Sequence, residues 1–124
     1  MAFVQSAAGQ LERYVDQHLD LDFTRGSVAL DTRRMTLTRK EYELLALLVS
    51  NAGEIIPREV LLWQVWGYSD QIRTRTLDVH VRRLRKKMGA YAGQYIETIF
   101  GIGYRFQPYR ATRNFSTLTA PAVA

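Results

Sequence analysis

The segment of residues 73–87 constrains the fold more than any other part of this chain. From Leu77, four apolar residues recur at i, i+4, i+7 and i+11, a spacing that aligns them in one narrow stripe on an α-helix: Leu77, Val81, Leu84 and, directly after the segment, Met88. Gly89 follows and is suited to a helix C-cap. A helix with one apolar stripe needs a protein body that buries the stripe. We therefore expect a domain built around this helix, with the opposite side in solvent.

The basic charge of the chain is concentrated on the same segment. Seven basic side chains and one acid, Asp78, give residues 73–87 a net charge of +6, whereas the whole chain carries +5. On a helix one group of side chains lies opposite the apolar stripe: Arg75, Val79, Arg82, Arg83 and Lys86. Asp78 precedes Arg82 by four residues and is expected to pair with it. Guanidinium groups suit phosphates and guanine edges, so the basic face predicts nucleic-acid binding; a merely solvated charged face is the alternative.

Composition narrows the class of protein. The length of 124 residues suits one domain, and a hydrophobic content of 47% is enough for a core. The chain has no cysteine, which excludes disulfides and thiolate metal sites and favours an intracellular location. It also lacks an apolar run of about 18 residues and the features of a signal peptide. We expect a cytoplasmic protein without membrane contact.

Turn signals divide the N-terminal part of the chain. Residues 1–18 are interpreted as an extension or linker. Residues 1–20 are compatible with a short amphipathic helix, because Leu11, Tyr14, Val15 and Leu19 recur at helical spacing. Three β-prone runs follow at 19–23, 28–31 and 35–38, separated by short turns, and predict an antiparallel meander. Residues 19–110 are assigned to the folded domain. Residues 111–124 are rich in Ser, Thr, Pro and Ala and are expected to form a flexible tail.

Helix signals follow the meander. Thr38 and Glu41 form a capping-box pattern that begins a first helix, which ends near Gly53. Pro57 suits the first turn of a second helix at 58–66, in which Trp63 and Trp66 are expected to be core residues. The basic helix, at about 74–88, is the third, and two strands at 95–100 and 104–106 form a hairpin across Gly101 and Gly103. The predicted fold is α+β: a winged helix-turn-helix with an N-terminal antiparallel β-meander, three helices and a C-terminal β-hairpin wing.

Four stretches of the chain closely resemble the OmpR/PhoB-type winged-helix effector domain of bacterial two-component response regulators. They are LTRKEYELL at 37–45, VWG at 65–67, RTLDVHVRRLRKK at 75–87 and TIFGIGYRF at 98–106. The resemblance covers about residues 19–107. In that family a receiver domain of about a hundred residues precedes the module, and the residues before Leu21 are too few to contain one, so we expect an isolated or stand-alone effector domain.

The resemblance implies a sequence-specific regulator that binds double-stranded DNA, with the third helix in the major groove and the wing on the backbone or minor groove. It places two sets of residues on DNA: Trp66, Arg75, His80, Arg85, Thr98 and Tyr104 at phosphates, and Thr76, Val79, Arg82 and Arg83 at base edges. Phe100 stands where many members have a basic residue that enters the minor groove, and Arg105 is expected at a nearby phosphate. The resemblance also implies tandem direct repeats as targets, a homodimer on DNA, and contact of the loop 68–74 with RNA polymerase.

Other classes of function are less well supported. Only His18 and His80 are available for histidine chemistry, and no motif of a hydrolase, metalloprotease or dinucleotide-binding enzyme occurs, so we expect no catalysis, cofactor or metal. A winged helix can instead dock on RNA polymerase or another regulator and bind DNA only weakly. An RNA-binding function comes third, because no aromatic residues interleave with the basic face for stacking.

Overall fold

The computed structural model describes residues 2–67 and 75–109 and shows two antiparallel sheets around a group of helices. The first sheet has five strands in chain order: β1 Ala2–Gln5, β2 Leu11–Val15, β3 Leu19–Asp22, β4 Ser27–Leu30 and β5 Arg33–Arg34. The second sheet has the order β6-β8-β7: β6 Ile55–Pro57, β7 Ile96–Ile99 and β8 Gly103–Phe106. The strands β7 and β8 form the C-terminal hairpin, called the wing below.

The helices connect the two sheets. They are α1 Arg39–Ser50, α2 Arg58–Trp66, α3 Thr76–Met88 and the short α4 Ala92–Tyr95, which a 3₁₀ turn at Gly89–Tyr91 precedes. The predicted capping box is present: the backbone N–H of Glu41 donates to the Thr38 hydroxyl at 3.2 Å, and the Glu41 carboxylate accepts from the Thr38 backbone N–H at 2.9 Å. Gly67 ends α2 in the left-handed conformation, at φ 76°. The predicted winged-helix architecture is confirmed.

The predicted stripe of α3 lies in the core. Leu77, Val81, Leu84 and Met88 are each at most 1% exposed and pack among the buried leucines of α1. Tyr95 and Phe106 are fully buried and stack with ring centroids 5.5 Å apart, and Tyr42 packs against the core from its edge. Burial of these side chains supplies the main favourable free energy of folding.

The helix expected within residues 1–18 is wrong, because this segment forms the hairpin of β1 and β2. Neighbouring side chains of β2 point to opposite faces of the sheet, as in a strand. Tyr14 is fully buried and packs edge-on against Phe106, while its neighbour Arg13 is exposed and pairs with Asp20 of β3. Pairing with β3 satisfies the backbone hydrogen bonds that a helix would have formed internally. The segment therefore packs on the body of the domain.

Three further details differ from the sequence-based expectations. The last strand of the meander is β5, not 35–38, since the turn falls at Asp31 and Thr32, which adopt φ 51° and 67°. The strand β6 and the helix α4 were not predicted, because each is too short to show a period. The interpretations of residues 68–74 and 111–124 lie outside the described residues. In the two ranges that the structure covers, no helix is long and apolar enough to cross a membrane.

Candidate nucleic-acid interface

Four cations form the outer face of α3. Arg82, Arg83 and Lys86 are exposed on the helix, and Arg75 is exposed at its N-terminal end. Within residues 2–67 and 75–109, no carboxylate lies at salt-bridge distance from any of the four. We call these four residues the cationic face. Unpaired cations on a rigid helix are able to bind a polyanion without first breaking an intramolecular ion pair.

The predicted pairing of Asp78 with Arg82 is wrong, because Asp78 binds Arg58 of α2 instead. The Arg58 guanidinium donates to both carboxylate oxygens, Nη1 to Oδ1 at 2.6 Å and Nη2 to Oδ2 at 3.0 Å. The hydrogen bond from Arg58 is the largest cause that lowers the pKa of Asp78 below its ordinary value. A bidentate guanidinium–carboxylate pair has a fixed geometry, so it joins α2 to α3 and leaves Arg82 without a carboxylate partner among the residues that the structure describes.

Tyr104 of β8 joins the same cluster. Its ring is 6% exposed, and its hydroxyl donates to Asp78 Oδ1 at 2.6 Å. Burial, followed by this hydrogen bond, raises the pKa of Tyr104. The structure thus gives the hydroxyl a protein partner where a phosphate contact was expected. Asp78 connects α2, α3 and the wing.

Arg85 and Thr98 bind each other rather than projecting separately. Arg85 Nη2 donates to the Thr98 hydroxyl at 2.7 Å and to the carbonyl of Ile96 at 2.8 Å, and the guanidinium carbon lies 5.7 Å from the centroid of the Tyr104 ring. Both residues were expected at phosphates. In this structure they hold the wing against α3.

Trp66 and His80 meet where α2 approaches α3. Their ring centroids are 4.9 Å apart at an interplanar angle of 69°, and both side chains are partly buried. The Nδ1 atom of His80 lies 2.8 Å from the carbonyl of Thr76. A carbonyl can only accept, so Nδ1 donates and the orientation of the ring is set. Thr76 and Val79 are themselves partly buried on the same helix.

Trp63 does not belong to the core, contrary to expectation. Its side chain is 60% exposed, because Leu61, Leu62 and Val65 form the buried side of α2. A nine-residue helix that is apolar nearly all round gives no periodic signal that distinguishes its two sides.

The wing carries the remaining candidate residues. Arg105 forms a cross-strand pair with Glu97, with Nε 2.9 Å and Nη2 2.8 Å from Oε1. Phe100, at the tip, is 89% exposed. Over the ranges 2–67 and 75–109, no group of three or more His, Asp or Glu side chains could hold a metal ion.

Two positioning residues were missed at the sequence level. Arg58 was assigned no role, and Asp78 was assigned the wrong partner. The separation of 20 positions between them leaves no local signal for this pair.

Comparison with known proteins identifies relatives of this chain and of its fold. Residues 32–106 match the family model described as "Transcriptional regulatory protein, C terminal". The chain is 47% identical over 89 residues to the transcriptional regulatory protein HprR of Escherichia coli K12. The aligned residues make up 71% of this chain and 40% of HprR. It is 39% identical over 94 residues to the transcriptional regulatory protein SrrA of Staphylococcus aureus. The aligned residues make up 73% of this chain and 39% of SrrA. The chain thus spans about two fifths of the length of these curated relatives.

Two solved structures show similar architecture. The RstA DNA-binding domain of Klebsiella pneumoniae, crystallised with the RstA box, has a TM-score of 0.72 at 29% identity, covering 79% of this chain and 99% of that domain. The response regulator DrrB of Thermotoga maritima, an OmpR/PhoB homologue, has a TM-score of 0.71 at 34% identity, covering 79% of this chain and 45% of DrrB.

Proposed function

The chain belongs to the OmpR/PhoB-type family of C-terminal domains of transcriptional regulatory proteins, and from this premise we propose that it binds double-stranded DNA sequence-specifically to regulate transcription. The cationic face carries the proposal. A polyanion is its natural partner, because four cations stand unpaired, within the described residues, on a helix whose other side is buried in the core. RstA, to which the fold is similar, was crystallised with its DNA box.

In this proposal α3 enters the major groove, which admits an α-helix. Arg82 and Arg83 project from the middle of its exposed side and read base edges together with Thr76 and Val79. Guanidinium groups contact guanine O6 and N7 in bidentate geometry, which accounts for discrimination between sequences.

Phosphate contacts set the register of the domain on the duplex. Arg75 is exposed at the N-terminal end of α3, and the rings of Trp66 and His80 contact each other where α2 approaches α3. At the wing, the proposed surface includes Arg85, Thr98, Tyr104 and Arg105. The contacts of these wing residues with each other and with Asp78 and Glu97 support a role in holding the wing at the backbone, with phosphate contact through the groups left free.

Further partners follow from the family resemblance. We propose tandem direct repeats as the target, occupied by two copies of the chain on DNA, and contact of residues 68–74 with RNA polymerase. Residues 68–74 lie outside the part of the chain that the structure describes. Because the partner is DNA, we place the chain in the cytoplasm.

Selection of bound duplexes from a randomised pool tests the proposal, after a gel-shift titration with random-sequence duplex at low salt. We expect binding in both and enrichment of a defined site, with half-site spacing visible in the enriched sequences. The variant with Arg82, Arg83 and Lys86 all replaced by Ala is expected to lose binding. Arg25→Ala serves as the matched control, since this arginine is exposed in the turn between β3 and β4 and pairs with Asp22. Absence of binding by the unmodified chain would favour a protein-interaction module.

A further inference from the structure

Phe100 is the most exposed large apolar side chain in the described residues. Its exposure of 89% exceeds that of the next residue, Trp63, at 60%. A phenylalanine ring left in water lacks the favourable free energy that its burial would supply. The ring is therefore available to a partner surface.

The turn that carries Phe100 is rigid. The backbone N–H of Ile102 donates to the Ile99 carbonyl at 3.0 Å, and Gly101 adopts φ 79°, which favours glycine. The carbonyl of Ile102 accepts from the backbone N–H of Arg58 at 2.9 Å, which attaches the turn to the start of α2. The wing tip thus presents its ring at a defined position, at a lower entropic cost of binding than a mobile loop would have.

The wing and the cationic face belong to one rigid unit. Arg85 of α3 binds Thr98 of β7, and Asp78 of α3 binds Tyr104 of β8. A duplex bound by the cationic face therefore meets the wing at a fixed offset. This continuity and the positive charge of the adjoining surface favour DNA over a protein as the partner of Phe100.

A phenylalanine ring does not bind phosphate, so its DNA partner must be apolar. The deoxyribose rings that line the minor groove offer such a surface, and apolar side chains inserted there also reach base faces, because they unstack base steps and kink the duplex by about 20 to 90°. We propose that Phe100 inserts into the minor groove beside the site read by α3 and selects a deformable base step. This inference rests on the proposed DNA-binding function and adds a specificity determinant to it.

The chemistry of the ring predicts which sequences are preferred. Pyrimidine–purine steps such as TA and CA unstack at low energetic cost, whereas an inserted arginine prefers the narrow groove of A-tracts. The unmodified chain and the variants Phe100→Ala and Phe100→Arg are therefore compared in selections from one randomised duplex pool. We expect a pyrimidine–purine step at constant distance from the major-groove positions with the unmodified chain. Phe100→Ala should lose only that preference, and Phe100→Arg should replace it with an A·T run.

Affinity and DNA bending provide a second measurement on the selected duplex. Phe100→Ala is expected to weaken binding by about fivefold or more. Circularly permuted fragments should show a bend of about 20° or more with the unmodified chain, and a smaller bend with Phe100→Ala. Trp63→Ala, at the next most exposed aromatic residue, is the control and should change neither.

The outcomes separate this inference from the proposed function. Identical enriched sequences and an identical bend for the unmodified chain and Phe100→Ala would overturn the inference alone and assign Phe100 to another partner, such as a protein. If the unmodified chain binds no duplex, both are overturned.

Discussion

The carboxylate of Asp78 in the first turn of α3 accepts two hydrogen bonds, at 2.6 and 3.0 Å, from the guanidinium of Arg58 in the first turn of α2. These are the two helices of the helix-turn-helix. Asp78 is also the one acid within residues 73–87. The pair therefore links α2 to α3 while it reduces the positive charge of α3.

Asp78→Asn separates these two effects. The substitution removes a negative charge, so affinity for random duplex should stay unchanged or increase. It also weakens the link between α2 and α3, and a less firmly held α3 should lower affinity for the selected site. The free energy of unfolding should fall by about 1 kcal/mol or less, since the pair is partly exposed. Asp20→Asn removes the same charge and an exposed pair with Arg13, between β2 and β3 of the first sheet, and should leave the ratio of specific to random binding unchanged. Equal ratios for the two variants would contradict a positioning role of Asp78.

Arg83→Ala is expected to reduce discrimination between selected and random duplexes by about 1 to 3 kcal/mol, the value of one bidentate base contact. Lys86→Ala, one turn along the same exposed side, should weaken binding to both duplexes about equally, because its ammonium group acts as a point charge on phosphate. Fluorescence anisotropy titrations with the two duplexes measure both. Equal weakening by Arg83→Ala would remove Arg83 from the base-reading residues.

Arg75→Ala should weaken binding to every duplex and make its salt dependence shallower. One phosphate contact contributes about 0.9 to the slope of log K against log salt, so the slope should change by about that amount. Arg25→Ala, which replaces an arginine paired with Asp22 outside α3, should leave the slope as it is. An unaltered slope for Arg75→Ala would argue against a phosphate contact at this residue.

Asp16 makes the stability of the fold sensitive to acid. Burial alone would raise the pKa of Asp16, but its carboxylate accepts hydrogen bonds from the hydroxyls of Tyr14 and Tyr95, both at 2.6 Å, and from the backbone N–H groups of Leu19 and His18. The hydrogen bonds together outweigh burial and lower the pKa of Asp16 below the ordinary value of 3.8. The unfolded chain therefore binds the proton first, and the stabilisation is complete above about pH 4 and is lost as the pH falls through the lower folded value.

Asp16→Asn is accordingly expected to lower the free energy of unfolding at pH 7 by about 2 to 3 kcal/mol, because one amide oxygen does not replace a charged acceptor of several donors. The difference from the unmodified chain should shrink as the pH falls from 4 to 2 in urea titrations. Glu12→Gln, at an exposed acid of the same sheet, should follow the unmodified chain throughout. A constant difference at all pH values would contradict the linkage.

Gly103→Ala tests the support of the wing. A Cβ at this position would lie 2.0 Å from the carbonyl oxygen of Ile56, so β6 and β8 must separate to accommodate it. We expect a loss of about 1 to 3 kcal/mol or more in unfolding free energy and weaker DNA binding. Gly93→Ala, where a Cβ meets nothing within 4 Å, should be tolerated. Comparable thermal denaturation of the two variants would show that the strand pairing adapts.

Local sequence patterns were sufficient to predict the elements that show a complete hydrophobic period, a capping motif or a glycine turn. The stripe ending at Met88, the capping box of Thr38 and Glu41, and the glycine hairpin were all visible, because each is decided by residues within a few positions of one another. The prediction for residues 11–15 was wrong because local pattern does not decide it. The few apolar residues of this segment fit both a helix and a strand, and only its pairing with β3 excludes the helix. Trp63 was misassigned because the second helix is apolar on both sides.

The chain by itself determined that a cationic helix with one apolar side would lie on a core and face outward, since charge and periodicity belong to the covalent sequence. Only the tertiary structure decided which partner each charged or hydroxyl group takes. Asp78 binds Arg58 and Tyr104, and Arg85 binds Thr98, across separations of 13 to 26 residues. Such pairs form because folding brings the groups within 3 Å where desolvation penalises unpaired charge, a condition that spacing along the chain does not encode.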